Sequence, residues 1–146
     1  MRPAMRDTLF SDATGAGLYC QPPDSRAAVE QAALRQHLSL LPGDISACSS
    51  IQEALARLGS ALNFPDYYGS NLDALFDCLT DPDWCGSSGQ ILLLTGCDRL
   101  QQKAPGDFAR LLEVLDATAE ERRGSSQPLW VLIDTPVPGI APLSDA

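Results

Sequence analysis

A chain of 146 residues, 45% hydrophobic and 20% charged, is sized and composed for one globular domain with its own core. Nineteen acids against ten lysines and arginines leave a net charge of −9, which argues against nucleic acid or an anionic membrane as partner and is compatible with a basic protein. The same balance also serves solubility alone, so charge by itself does not choose a function.

Residues 1–16 are polar and lack a sustained period, so a loose N-terminal tip is expected there. They hold no apolar run long enough for a signal-peptide core, and no later segment approaches a membrane-spanning length. Gly17 to Cys20 reads as a short strand closed by Pro22-Pro23. Asp24 or Ser25 can cap a following helix whose apolar stripe is Ala28, Val29, Ala32 and Ala33. His37 to Leu41 reads as a strand ending at Pro42-Gly43.

Ser50 and Glu53 have capping-box spacing, and Ile51, Ala54, Leu55, Leu58 and Leu62 then fall on one helical face. A third helix is expected from Ser70 or Asn71 to Leu79, stopping before Pro82. Gln90 to Thr95 reads as a strand buried on both faces. Phe108, Leu111, Leu112 and Leu115 stripe another helix, and Leu129 to Asp134 reads as a last buried strand. Alternating strands and helices argue for a single α/β domain with a small, mainly parallel sheet packed with helices. The stretch 122–127 is too short to link two domains. The expected division is a flexible tip at 1–16 and one domain over 17–146, with a strand-helix extension at 17–35 and a core at 36–134.

Several chemistries lack their residues. The single His37 has no nucleophile motif near it and reads as structural. Zinc prefers closely paired Cys/His ligands, whereas the nearest cysteines, Cys78 and Cys85, are separated by six residues. The five cysteines are scattered and odd in number, so reduced thiols and a cytoplasmic location are expected. There is no phosphate-cradling glycine loop and no basic patch interleaved with aromatics. Arg122-Arg123 reads as a pair of cations at a helix C-terminus, where the dipole favours them.

The informative stretch runs from Leu58 to Asp98, with six aspartates and no lysine or arginine. Asp73, Asp77 and Asp81 are spaced i, i+4, i+8, along one helix side wherever the helix persists, opposite Leu72, Leu75, Phe76 and Leu79. Like charges at that spacing cost about 0.2–0.5 kcal/mol per pair, and carboxylates late in a helix oppose its dipole. One reading is a solvated acidic face, with Ser70 and Asp73 as a capping box. The other is an anionic surface built to meet cations, with Tyr67 and Tyr68 beside it as rigid contact groups.

The run Tyr67-Tyr68-Gly69-Ser70-Asn71-Leu72-Asp73-Ala74-Leu75-Phe76-Asp77-Cys78-Leu79-Thr80 resembles the inhibitory loop and helix of the barstar family, and Phe64-Pro65 resembles the approach to it. A looser resemblance extends from about His37 to Asp134, with residues 1–34 outside it. The resemblance implies a barstar-like fold and a 1:1 complex with a small basic ribonuclease, whose active site the acidic helix and preceding loop block. Asp77 matches the family's central carboxylate, which takes the place of a substrate phosphate, and Tyr67, Gly69, Asn71, Leu72 and Asp73 match further contacts. With Tyr68, Phe76 and Asp81 these make up the expected partner-binding surface, Tyr67 to Asp81. Phe76 stands where the family has tryptophan, Ser70 replaces an acid, and a later glutamate contact falls near Ala117. No enzyme activity, cofactor or metal is expected. Two other readings stay open: an adaptor using the same acidic face for a partner that is not a ribonuclease, and a hydrolase using Asp73 and Asp77 as an acid/base or metal-binding pair.

Overall fold

The computed structural model describes residues 10–21, 25–86 and 88–142. In chain order the elements are β1 (Leu18–Cys20), α1 (Arg26–Arg35), β2 (Ser39–Asp44), α2 (Ile51–Ala61), α3 (Leu72–Leu79), α4 (Pro82–Cys85), β3 (Gln90–Thr95), α5 (Cys97–Lys103), α6 (Pro105–Arg122) and β4 (Leu129–Ile133). The four strands form one sheet in the order β1-β4-β3-β2, parallel at every pairing. The mixed α/β architecture with a small parallel sheet matches the sequence reading.

The centre of the sheet explains its two unbroken apolar runs. Side chains alternate across a strand, so Leu92 and Leu94 of β3 join Leu129, Val131 and Ile133 of β4 in one core cluster. Ile91 and Leu93 join Trp130 and Leu132 in a second cluster on the other face. Leu55 and Leu58 of α2, Leu75 and Leu79 of α3, and Leu111 and Leu115 of α6 fill the first cluster. Val29, Ala32 and Ala33 of α1 cover the second, together with Phe10 and Ala16.

Three local expectations are revised. The strand expected from His37 begins instead at Ser39, because His37 takes a left-handed φ of 58° in the turn that ends α1. There the Leu38 N–H donates to the Ala33 carbonyl at 2.9 Å, as in a Schellman helix ending. The same strand does not stop at Pro42-Gly43 but runs to Asp44, since β2 is a sheet edge, where a missing N–H is tolerated. Within the tip expected to be loose, residues 1–9 lie outside the described residues. Phe10, however, is buried and meets the Trp130 ring edge-to-face at 5.4 Å between centroids. Of the two expected caps for α1, Asp24 also lies outside the described residues, and Ser25 occupies the N-cap position.

Candidate functional site

The acidic face is assembled from the end of α2 onward. Ser50 caps α2 by accepting from the Glu53 N–H at 3.2 Å, while the Glu53 carboxylate reaches back to the Ser49 N–H at 2.9 Å. At the other end, Asn63 takes a φ of 53° and the Phe64 N–H donates to the Gly59 carbonyl at 3.1 Å, a Schellman ending that launches the following loop.

That loop rests on an aromatic cluster. The Phe64 ring lies 4.8 Å from Tyr68 and 5.0 Å from Trp84, both edge-to-face. The Tyr68 hydroxyl donates to the Leu55 carbonyl at 2.7 Å, and the Trp84 indole donates to the Leu62 carbonyl at 3.0 Å. Gly59 is small because it must be: a Cβ there would sit 2.5 Å from Tyr68 Cε2. Tyr68 is therefore half-buried and held at both ends, and burial pushes its phenol up to about 12. Trp84 was not singled out by sequence reasoning, although an aromatic following a proline helix start was a usable signal.

Tyr67, its neighbour, is 57% exposed. Gly69 is exposed, and Ser70 turns the chain with a φ of 55°. Ser70 therefore does not form a capping box with Asp73; Asn71 is the N-cap of α3, its Oδ1 accepting from the Ala74 N–H at 2.8 Å. Leu75, Cys78 and Leu79 face the core from α3, while Leu72 and Phe76 are half-buried at its flank. Asp73 and Asp77 are both exposed, and among the described residues neither carboxylate has an ion-pair or hydrogen-bond partner.

Asp81 departs from the stripe read in the sequence. The helix ends at Leu79, and Asp81 has extended backbone, φ −73° and ψ 116°, as the N-cap of α4. One of its oxygens accepts from the Asp83 N–H at 2.9 Å, and the other accepts from the Tyr67 hydroxyl. Those two donors hold the Asp81 carboxyl below its ordinary range.

Leu72 and Phe76 form one side of an open groove of about 710 Å³, with Val114 and Ala117 of α6 opposite. Asp73, Asp77, Arg110 and Glu113 also line it. The stretch 58–98 has no cation in sequence, yet the fold brings Arg110 to this groove, where its guanidinium contacts Asp107 one helical turn away. Ala117, where a family glutamate was sought, is on the groove wall, and Glu113 is one turn earlier on α6. Neither Arg110 nor Glu113 carried a sequence signal, because both come from a helix distant in the chain.

The back of α3 is tied by Arg122. It sits in the last turn of its own helix, as expected, and is buried there, its Nε donating to the Gln127 carbonyl at 2.7 Å and its Nη1 to the Leu79 carbonyl at 3.1 Å. A cation is thus placed on a terminal carbonyl of α3, where the helix dipole favours it. Arg123 instead donates to the Ala16 carbonyl at 2.8 Å, joining α6 to the N-terminal segment.

The five cysteines are free thiols, and no group of three or more candidate metal ligands occurs among the described residues. No described helix is long and apolar enough to cross a membrane. His37 is exposed in its turn, remote in chain position from the acidic face.

Comparison with known proteins agrees with this geometry. A family model described as "Barstar (barnase inhibitor)" matches residues 39–134, spanning β2 to the end of β4 and including the whole acidic face. A Bacillus subtilis (strain 168) protein named "Putative ribonuclease inhibitor YrdF" is 74% identical over 23 residues, 16% of this chain and 25% of that protein. The matched segment thus spans a quarter of that relative's length.

Proposed function

The chain belongs to the barstar (barnase inhibitor) family, and from that premise we propose that it inhibits a small basic ribonuclease in a 1:1 complex. The loop from Tyr67 and helix α3 enter the enzyme's active site, with Asp77 meeting the cations that bind substrate phosphate. The observation that carries this reading is the pair of exposed carboxylates, Asp73 and Asp77, without partners among the described residues, on a helix whose other side is locked into the core. A helix backbone already locked into the core needs little reordering on binding, and a net charge of −9 steers a cationic partner toward its carboxylates.

The contact surface consists of Tyr67, Gly69, Asn71, Leu72, Asp73, Phe76 and Asp77, with Tyr68 acting from behind to hold the loop. The protein acts by occupying an active site rather than by catalysis, and it does so in the cytoplasm. Titration against a panel of small basic microbial ribonucleases, barnase included, tests this through RNA cleavage. Stoichiometric loss of cleavage with at least one member, weakened on the order of a hundredfold by Asp77→Ala, is expected, because truncation leaves the enzyme's buried cations without a counter-charge. A panel left fully active, with another protein class captured through Asp77, would favour the adaptor reading instead.

A further inference from the structure

We propose that Asp81 is a positioning residue and not a binding charge: it fixes the Tyr67 ring in the pose that the partner meets. The proposal rests on the inhibitor reading for what the ring is presented to. Its geometry stands on the free protein alone.

Three observations lead to it. First, Asp81 lies beyond the end of α3, on extended backbone, and so leaves the line along which Asp73 and Asp77 face solvent. Second, both of its oxygens are engaged, one by the Asp83 N–H and one by the Tyr67 hydroxyl, so the carboxylate is partly satisfied before any partner arrives. Third, the Asp81 backbone is followed by Pro82 at the first position of α4, which fixes φ there and makes the anchor rigid.

Tyr67 needs such an anchor. Its neighbour Tyr68 is gripped by the core, but the Tyr67 ring is 57% exposed and would otherwise turn about its two side-chain torsions. The bond to Asp81 spans 14 residues and holds the ring by its hydroxyl, and Tyr67 stays exposed. An exposed aromatic with its rotamer already chosen loses less entropy on binding than a free one.

The full chain tests this with Asp81→Ala, Asp81→Asn and Tyr67→Phe. Asparagine can keep its Oδ1 on the Asp83 N–H as N-cap and turn its Nδ2–H toward the Tyr67 hydroxyl oxygen, so the link to the ring survives with its direction reversed and without the charge, which makes it the rescue variant. In the free proteins, ring-¹³C spectra of labelled tyrosine follow the Tyr67 phenol through an alkaline titration. In the wild type it should ionise well above the ordinary tyrosine range, and in Asp81→Ala it should fall back toward about 10. Against barnase, or another panel member that the wild type inhibits, Asp81→Ala and Tyr67→Phe should each weaken inhibition about tenfold. The double variant should be no weaker than either, and Asp81→Asn should stay within about threefold of wild type.

An unchanged Tyr67 titration in Asp81→Ala overturns the proposal. So does an Asp81→Asn variant as weak as Asp81→Ala, with a loss that high salt abolishes, since that marks a direct counter-charge. If no ribonuclease is inhibited by the wild type, the inhibitor reading fails, and the free-protein titration still decides whether Asp81 holds the ring.

Discussion

The two faces of the sheet are covered in different ways. On one face, α2, α3 and α6 pack leucine against leucine, and α3 then turns two exposed aspartates to solvent. On the other, α1 contributes only Val29, Ala32 and Ala33, small residues that bring the helix close, with Phe10 filling in beside Trp130. The first cover gives up local helix stability, because Asp73 and Asp77 repel each other and Asp77 opposes the dipole. The second places an oppositely charged pair, Arg26 and Glu30, one turn apart on α1 instead of like charges. The difference separates a face built to display side chains from one built to close a core. It also follows the family match, which begins at residue 39 and so leaves α1 and β1 outside it.

The largest expected effect breaks the closing side. Trp130 is 1% exposed between β3, Phe10 and α1, so Trp130→Ala should cost about 3–5 kcal/mol and lower the melting temperature by many degrees. Inhibition measured below that melt should be retained, because the displaying face is on the far side of the sheet. A melt within a degree or two of wild type would show that the N-terminal cover contributes little.

A smaller effect should appear on the displaying side. Asn71→Ala removes the N-cap of α3 and should cost about 1 kcal/mol in chemical denaturation, while also loosening the first turn that carries Asp73. Asn71→Asp keeps an acceptor at the same place and should restore most of that stability. If Asn71→Ala leaves stability unchanged, α3 is held wholly by its buried residues and not by its cap.

A further effect is read by pH. Burial raises Tyr68 to about 12 and raises Tyr19 as well. A phenol whose folded value lies above its unfolded value of about 10 adds stability that is fully present below pH 10 and lost as pH rises through the folded value. Denaturation midpoints should therefore hold up to about pH 10 and fall beyond it. A midpoint insensitive to pH between 10 and 12 would place the Tyr68 hydroxyl in water rather than on the Leu55 carbonyl.

The displaying face was more legible in sequence than the closing one. α3 announces itself through an N-cap, an apolar stripe and a proline stop, and its four apolar positions all lie on its inner side or flank. The central strands were equally plain, because burial on both faces leaves an unbroken apolar run. Asp81 misled because the i, i+4, i+8 spacing continues through a helix that has already ended; spacing does not register a change in backbone direction. Phe10 was hidden because one aromatic in a polar tip has no period. Arg110, Glu113 and Arg122 come to the site from α6, and only tertiary packing places them there.

The most direct test pairs stability and binding in one variant, Asp77→Ala. Thermal melts of the free protein and association and dissociation rates against an inhibited ribonuclease, each at two salt concentrations, are the measurements. The account predicts a melt unchanged or slightly higher, since a like-charge neighbour of Asp73 is removed and helix propensity rises by a few tenths of a kcal/mol. It predicts binding weaker by on the order of a hundredfold at the same time. An unfolded domain, or a ribonuclease bound as tightly as by the wild type, would contradict the role given to this helix.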